Sequence, residues 1–349
     1  MSDQKQDSTY GTKAFYEKRV PEHFSRFHEH LDNNPFVLFF LAKKNAGKGT
    51  YSKILNKVSD GKVVHLGVGD LVRAAEKRAL DENERQSLID DLKVYYKGEI
   101  PIEEVVEKFV EEAGDLSALL PTEMVMALIE KEVEYNKNKA IIIDGFPRSL
   151  DQINIANRMQ DDFEAKGKPS AFVEIDCPDD VLLQRQMYRV TCPECQTPRN
   201  TKVLATENVG YDQGEEEFYL VCDNDTCDNI RMKPKYGKVG GEYTIETFKK
   251  DQQQTKDLLQ KVHEDHPHRH IRVHNHISVS EVGNHDEADF TLETDYEFDS
   301  ETKQVTKRFK PWVIKDDDGI DVLSRWPDPV VADLMKELTE WLDKSLENK

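Results

Sequence analysis

The chain has 349 residues and a formal net charge of −20, because 48 Lys and Arg residues are set against 68 Asp and Glu residues. This balance repels nucleic acid phosphates and anionic lipid, so we expect neither a nucleic acid partner nor a membrane partner. The apolar runs are too short for a membrane-spanning helix and no signal-peptide-like stretch opens the chain, so we expect a cytoplasmic protein.

The N-terminal part of the chain predicts a strand–helix–strand order. Residues 15–31 predict a short amphipathic helix, interrupted at Pro21. The unbroken apolar run at 36–41 is typical of a strand buried on both faces of a parallel sheet. A turn with two glycines then leads into a predicted helix at 50–58, and a second strand is predicted at 62–66.

The rest of the chain continues this alternation, with two irregular regions. Further core strands are predicted at 139–144, 171–176 and 271–274, and helices through most of 70–138 and at 178–190 and 247–263. Residues 191–242 contain Cys, Gly and Pro with little apolar periodicity, and predict a small inserted module. Alternating residues at 286–315 predict a hairpin, and Asp328 with Pro329 predicts the N-cap and first position of a final helix.

The turn after the first strand has the composition of a phosphate-binding loop. Residues 42–50 are AKKNAGKGT, in which Gly47 and Gly49 let the backbone approach an anion and Lys48 supplies a positive charge. The general pattern has Gly at position 42 and Ser or Thr directly after the Lys, and this chain has Ala42 and Gly49 there. The alternative is a Lys-rich strand–helix turn without a ligand.

A second candidate segment follows the strand at 140–143. That strand ends in Asp144, and Gly145, Phe146, Pro147 and Arg148 come next. Because carboxyl ends of parallel strands share one sheet edge, Asp144 would lie beside the phosphate loop and could hold the water shell of Mg²⁺. Arg148 would extend into the same crevice as a planar donor for phosphate. The alternative is a buried strand with an ordinary Gly-Pro turn.

The inserted module contains four of the five cysteines. The pairs Cys192–Cys195 and Cys222–Cys227 fit a closed tetrahedral Zn²⁺ site, which would be structural because protein fills all four positions. The alternative is unpaired cysteines in a surface module. Six of the 11 histidines lie between positions 263 and 276; a metal or pH-sensing site is conceivable, but irregular spacing favours a solvated loop.

In these segments and two others, the chain resembles the adenylate kinase family of nucleoside monophosphate kinases, in its zinc-lid form. The resemblance covers roughly residues 36–260, and the order of the motifs makes it specific. The motifs are GKGT at 47–50, GDLVR at 69–73, LLPTEMV at 119–125, DGFPR at 144–148 with Gln152, and Arg185 with Arg189, which we place four apart on one helix face.

The resemblance implies an α/β fold: a P-loop NTPase three-layer sandwich with a parallel sheet. A helical insertion would bind the monophosphate and a zinc-stapled insertion would form a mobile lid. The implied division is an N-terminal extension at 1–35, core at 36–67, monophosphate-binding helices at 68–118, core at 119–190, zinc lid at 191–242, core at 243–284 and a C-terminal extension at 285–349. We expect a monomer.

The resemblance also implies an activity: reversible transfer of the γ-phosphoryl group of ATP to AMP, giving two ADP. The implied cofactors are Mg²⁺ with ATP and a structural Zn²⁺. The implied catalytic residues are Lys48, Arg148, Arg185 and Arg189. The residues that would contact ATP are Asn45, Ala46, Gly47, Lys48, Gly49, Thr50 and Arg185. Those that would contact the monophosphate are Val68, Gly69, Arg73, Gly145, Arg148 and Gln152. The Zn²⁺ ligands would be Cys192, Cys195, Cys222 and Cys227, and Asp144 would hold Mg²⁺ through water.

Several positions depart from the family pattern. Asn45 stands where a second loop glycine is usual, and Val68 replaces a hydroxyl residue that helps recognise the acceptor base. In the register after the lid, two usual arginines fall on Gly240 and Asp251. Their replacements would be Arg231, Lys249 or Lys250. The number of residues between Arg73 and Leu119 is also about twice that usual in the family, which predicts extra helices in the domain that binds the monophosphate.

These departures leave three alternative functions open. The chain could be a nucleotide-binding protein with weak or no kinase activity, because the loop is altered and the later arginines are missing. It could be a kinase for a nucleoside monophosphate other than AMP. A zinc-ribbon module that binds nucleic acid is disfavoured by the acidic charge.

Overall fold

The structure, a computed structural model, describes residues 11–111, 121–234 and 245–347. Within these ranges, no helix combines the length and the apolar character needed to cross a membrane. Gly240 and the first two residues of the 119–125 motif lie outside the described residues.

Five parallel strands form the central sheet. The strands are β1 (Val37–Leu41), β2 (Val63–Gly67), β3 (Ala140–Asp144), β4 (Ser170–Asp176) and β10 (His270–His274). Their order is β10-β4-β1-β3-β2, so β1 lies at the centre and pairs with β3 and β4. Every residue of β1 is buried, which confirms the prediction from its unbroken apolar run.

Helices cover both faces of this sheet, which confirms the three-layer arrangement. One layer contains α1 (Lys13–Arg19), α2 (Pro21–Asn33), α3 (Lys48–Val58) and α11 (Pro327–Glu347), and the other contains α7 (Thr122–Tyr135), α8 (Leu150–Ala165) and α10 (Ile245–Asp265). Alternate side chains of β1 enter the two layers: Leu38 and Phe40 join the first core, and Val37 and Phe39 join the second. The break predicted at Pro21 is confirmed, because α2 begins there.

Three further helices form an insertion after β2. They are α4 (Val68–Leu80), α5 (Glu82–Lys93) and α6 (Ile102–Glu111). They pack with Met124, Ala127 and Leu128 of α7 in a small core of their own. The Asp81 side chain caps α5 by accepting a 2.9 Å hydrogen bond from the Asn83 backbone N–H.

The cysteine module follows α9 (Asp179–Met187) and consists of short strands. These are β5 (Arg189–Thr191), β6 (Pro198–Asn200), β7 (Val209–Asp212), β8 (Glu217–Leu220) and β9 (Lys233–Pro234). Arg189 opens β5, so the prediction that Arg185 and Arg189 share a helix face is wrong. The helix ends at Met187 because β5 pairs with β6 and β9, and this pairing holds Arg189 in a strand.

The C-terminal region adds two small antiparallel sheets. One contains β11 (His276–Ser278), β14 (Val313–Lys315) and β15 (Asp321–Ser324), and the other is the hairpin of β12 (Leu292–Phe298) and β13 (Val305–Pro311). The hairpin confirms its prediction. Short 3₁₀ turns lie at Pro267–Arg269, Val279–Asn284 and Glu287–Asp289.

Two predicted helix starts are wrong. Helix α3 begins at Lys48 rather than at position 50, because Gly47 adopts the left-handed conformation that ends the loop. Helix α11 begins at Pro327, so Asp328 lies inside its first turn instead of capping it. The Asp328 carboxylate accepts a 2.8 Å hydrogen bond from the Tyr16 hydroxyl and therefore serves a tertiary contact.

Candidate functional site

The loop between β1 and α3 has the backbone geometry of an anion-binding turn. Gly47 has φ 102°, and a Cβ atom there would lie 3.2 Å from the Tyr51 ring. Asn45 also has a positive φ of 69°. A Cβ atom at Gly49 would have no neighbour within 4 Å, so the side facing the solvent is open. The loop therefore presents backbone and the start of α3 to an open space.

Lys48 lies at the centre of this space. Its ammonium donates a 3.0 Å hydrogen bond to the Ala42 carbonyl and lies 3.9 Å from an Asp144 carboxylate oxygen. Burial lowers the pKa of Lys48; Asp144 opposes this shift, and Arg148 adds to it. An anion placed beside the ammonium would stabilise its charged form, which is the behaviour expected of a phosphate-binding lysine.

A cleft of about 550 Å³ opens over the loop. Four of the charged residues predicted from the sequence line it together: Lys48, Asp144, Arg185 and Arg189. The loop residues Asn45, Gly47, Gly49 and Thr50 line it as well, and Ala46 is fully buried beneath the loop. The structure thus brings four of the predicted charged groups to one cavity: one carboxylate, one ammonium and two guanidinium groups.

Arg185 is held against the loop by a buried polar network. Its guanidinium donates to the Asn45 carbonyl at 3.4 Å and to the Asn275 side-chain oxygen at 3.3 Å. The Asn275 amide in turn donates a 2.7 Å hydrogen bond to the Tyr51 hydroxyl. Burial raises the pKa of Tyr51 to about 12, so this hydroxyl stays protonated. The network fixes the guanidinium without neutralising it, since neither the Asn45 carbonyl nor the Asn275 amide is charged.

Arg73 and Arg148 meet over two glycines; neither lines the cleft over the loop, but the Arg148 charge is close enough to Lys48 to lower its pKa. A Cβ atom on Gly69 would lie 3.3 Å from an Arg73 guanidinium nitrogen and 3.7 Å from one of Arg148. A Cβ atom on Gly145, which has φ 94°, would lie 2.8 Å from Arg148. Larger residues at Gly69 or Gly145 would push the arginines apart, so both glycines serve their placement.

Gln152 and Val68 are the other two side chains predicted to contact the monophosphate. The Gln152 side-chain oxygen accepts a 2.8 Å hydrogen bond from the Arg148 backbone N–H, which leaves its NH₂ group for a ligand. Val68 is buried in the core at the start of α4. Arg73 forms an ion pair with Asp70 three residues before it.

The C-terminal extension supplies cleft residues that the sequence analysis missed. Three residues of the extension line the cleft: Thr291, Arg325 and Trp326. Two residues from elsewhere, Lys53 of α3 and Arg199 of β6, line it as well. Arg325 is 5% exposed; it pairs with Asp333 at 2.7 Å, and its Nε has no hydrogen-bond partner among the described residues. No local pattern marks Arg325, because its position depends on the pairing of β15 with β11.

The replacements suggested for the missing arginines do not lie here. Arg231 packs over the Tyr219 ring at 4.2 Å and pairs with Asp212 at 2.8 Å, and it does not line the cleft. Lys249 and Lys250 are exposed on α10. The cations that do line the cleft beyond the predicted ones are therefore Lys53, Arg199 and Arg325.

The four cysteines of the inserted module converge on one point. Their sulfur atoms all lie within 4.8 Å of one another, with Cys192–Cys227 at 3.8 Å and Cys195–Cys222 at 3.6 Å. Four ligands about 2.3 Å from a tetrahedral zinc ion would be about 3.8 Å apart, so the cluster fits Zn²⁺. Hydrogen bonds with Thr197 lower the pKa of the Cys195 thiol to about 6, whereas burial raises the pKa of Cys222 and contact with Cys195 raises that of Cys227. The fit to Zn²⁺ therefore rests on the sulfur–sulfur distances.

The favoured interpretation of the histidine run, a solvated loop, is wrong for three of its members. His270 and His274 begin and end β10, and His276 begins β11. The imidazole of His270 is buried and lies 3.0 Å from the Glu174 carboxylate. Strand pairing, which the irregular spacing concealed, places these side chains on fixed backbone.

The chain is similar in sequence to several known proteins. A family model described as an AAA domain matches residues 45–194. An adenylate kinase of Thermotoga neapolitana is 30% identical over 160 residues, which are 45% of this chain and 60% of that protein. A uridylate kinase of Saccharomyces cerevisiae is 32% identical over 158 residues, which are 44% of this chain and 61% of the relative. An adenylate kinase of Petrotoga mobilis is 25% identical over 221 residues, which are 61% of this chain and 86% of the relative.

The parallel sheet, its flanking helices and the loop after β1 define an α/β P-loop NTPase fold. The relatives that the chain resembles include both adenylate kinases and a uridylate kinase. The chain spans about 60% of the length of the curated relatives that it matches first.

Proposed function

We propose that this protein is a nucleoside monophosphate kinase that transfers the γ-phosphoryl group of ATP to AMP. The observation that carries the proposal is the shared cleft of Lys48, Asp144, Arg185 and Arg189, with Arg148 near Lys48 and Arg73 next to Arg148. A polyphosphate is the ligand class whose charge matches this set of cations. The acidic charge of the whole chain makes such a local concentration of cations informative.

Each group has a role in this proposal. The loop backbone and Lys48 hold the β and γ phosphates of ATP, and Arg185 and Arg189 neutralise charge on the transferred group. Arg73 and Arg148 hold the acceptor phosphate, and the Gln152 NH₂ group is placed to hydrogen-bond the acceptor base. No side chain acts as nucleophile, because an oxygen of the acceptor phosphate attacks. Catalysis consists of positioning and charge stabilisation.

Two metal ions complete the proposed site. Mg²⁺ would arrive with ATP and be held near Asp144 through its water shell, where it would neutralise phosphate charge. Zn²⁺ would be held by Cys192, Cys195, Cys222 and Cys227 in a closed structural site. The cysteine module would close over the cleft before transfer and exclude water, which is a competing acceptor.

A second candidate function is nucleotide binding with little or no transfer. The C-terminal hairpin holds the cysteine module by side-chain contacts: Tyr211 stacks on Phe298 with ring centres 4.4 Å apart, and the Lys307 ammonium donates a 2.8 Å hydrogen bond to the Glu207 carbonyl. Such contacts would slow the closure that transfer requires.

Product formation separates these functions. The assay measures nucleoside diphosphate formed from ATP and Mg²⁺ with AMP, UMP, CMP or GMP in turn, against ATP hydrolysis without an acceptor. We expect AMP to give the fastest transfer. Faster transfer to UMP or CMP would change the acceptor assignment and keep the kinase; nucleotide binding by calorimetry without any transfer would select the second candidate.

A further inference from the structure

A cluster of three metal-ligating side chains lies outside both sites described above. Asp176 ends β4, His274 ends β10 and His276 begins β11, and one ligand atom of each lies within 4.8 Å of the others. We propose that these three residues bind one divalent transition-metal ion of the class of Zn²⁺, Co²⁺ or Ni²⁺. Two imidazoles and one carboxylate are the donor set that such ions accept.

The backbone that carries the three ligands is rigid. His274 is the register partner of Asp176 in the parallel pairing of β4 and β10. The Asn275 backbone N–H donates a 2.8 Å hydrogen bond to the Asp176 carbonyl, which fixes the turn between the two histidines. Both histidines line one cavity, whereas Asn275 extends to Tyr51 and Arg185. The alternation places both imidazoles on one side without further adjustment.

The polar atoms of the cluster leave room for an ion. His274 Nδ1 and an Arg272 guanidinium nitrogen both lie 2.9 Å from the same Asp176 oxygen, Oδ2. Neither contact uses Oδ1. The Nδ1 atom of His276 is buried and has no hydrogen-bond partner among the described residues. A metal ion would give the Asp176 carboxylate and the nearby imidazoles a common partner and would compete with Arg272 for the carboxylate.

The two histidines of the cluster line a cavity of about 520 Å³, which has room for an ion and its remaining ligands. The carboxylates that line this cavity outnumber its cations: Glu281, Asp316, Asp333 and Glu337 are set against Arg272, Arg325 and Lys336. Three protein ligands leave at least one position for water or another small ligand, in contrast with the closed Cys₄ site. The proposal does not depend on the kinase assignment, because no nucleotide-binding residue is a ligand.

The test is a metal titration of the full chain with its cysteine site already loaded with Zn²⁺. Co²⁺ is added, unbound ion is removed by desalting, and bound cobalt is measured by elemental analysis and by absorption. We expect one equivalent of Co²⁺ whose spectrum lacks the thiolate charge-transfer bands of a cysteine site. His274→Gln and His276→Gln should each reduce the retained cobalt at least tenfold.

His268→Gln is the matched control, because His268 belongs to the same histidine run and is exposed outside the cluster. It should retain the full equivalent. Circular dichroism and the retained Zn²⁺ show whether each variant is folded, and Asp176→Asn provides a third, independent ligand variant. The proposal is overturned if the wild-type protein retains no cobalt, or if folded His276→Gln and Asp176→Asn retain as much as the wild type.

Discussion

The Asn275 side-chain amide donates a 2.7 Å hydrogen bond to the Tyr51 hydroxyl, which joins the last core strand to the helix that follows the phosphate loop. The oxygen of the same amide accepts hydrogen bonds from Arg185 and Ser324. One buried side chain thus connects the loop helix, an arginine of the cleft and the C-terminal extension. A phosphate that binds at the loop meets an arginine whose position has been set in advance.

Removing this connection should reduce both activity and stability. We expect Asn275→Ala to lower kcat/KM about tenfold, because Arg185 loses a partner that orients it, and to cost about 1–3 kcal/mol of unfolding free energy. Steady-state kinetics and urea denaturation measure the two effects. Tyr51→Phe removes only the hydroxyl and leaves the Asn275–Arg185 bond, so a decrease in its kcat/KM as large as that of Asn275→Ala would contradict this account.

Arg325 should act on the nucleotide in place of an arginine from the lid. Arg325→Gln removes a buried charge from the cleft wall, and we expect ATP to bind about 10- to 100-fold more weakly, the loss typical of one charged hydrogen bond. Titration calorimetry with ATP and Mg²⁺ measures it. Arg325→Lys should restore part of the affinity.

The control for Arg325 is Asp333→Asn, which removes the carboxylate partner and keeps the guanidinium. We expect its ATP affinity to be unchanged or higher, since the released charge is available to phosphate. If Arg325→Gln and Asp333→Asn weaken ATP binding equally, Arg325 serves only the packing of the extension.

Asp317 should stabilise the fold in a pH-dependent manner. Burial opposes its ionisation, but the Asp179 backbone N–H and the Lys43 and Lys256 ammonium groups lower the pKa of Asp317 below its ordinary value. The folded pKa lies below the unfolded one, so the stabilisation is complete above the unfolded pKa near 3.8 and is lost as the pH falls through the folded pKa.

We therefore expect Asp317→Asn to cost about 1 kcal/mol at pH 7, a modest value because the group is partly exposed, and less at pH 3. Urea denaturation at the two pH values gives the comparison. Asp318→Asn changes the exposed neighbour and should leave stability unchanged. A deficit of Asp317→Asn that grows in acid would mean that the ion pairs do not stabilise the fold.

Zinc should hold the cysteine module together. We expect Cys222→Ser to lose the thiol-bound Zn²⁺ and to lower the Tm, because the small core around the metal contains few apolar side chains. Zinc release on titration with a thiol reagent, followed by a chelating dye, measures the bound metal. Cys177→Ser is the control, because Cys177 is a buried cysteine that does not belong to the cluster. The amount of zinc that the thiol reagent releases from this variant should equal the amount released from the wild type.

The sequence predicted the central sheet because its strands depend on local patterns. Consecutive apolar residues in β1 and β3 point to both faces of the sheet, so both faces must be covered to bury them, as in a parallel sheet between two helix layers. Because β1 and β3 are neighbours and end at the same edge of that sheet, Asp144 lies beside Lys48.

The remaining features depend on contacts between distant segments. Arg325 enters the cleft through the pairing of Ile277 with Leu323, and Arg189 lies in a strand because of its pairing with Asn200. The hydroxyl of Tyr296 in the hairpin donates to the Thr201 carbonyl in the cysteine module. No periodicity or motif encodes such pairings, so the sequence analysis could not assign the extension to the site.

The affinity for a dinucleotide of two adenosines joined by five phosphates tests the central claim most directly. This molecule spans both proposed subsites, so calorimetry with Mg²⁺ should show it binding the wild-type protein far more tightly than ATP or AMP. Lys48→Met and Arg148→Met, from the two subsites, should each weaken it at least tenfold. Binding no tighter than that of ATP, or insensitive to both substitutions, would contradict the assignment of these cations to a single polyphosphate.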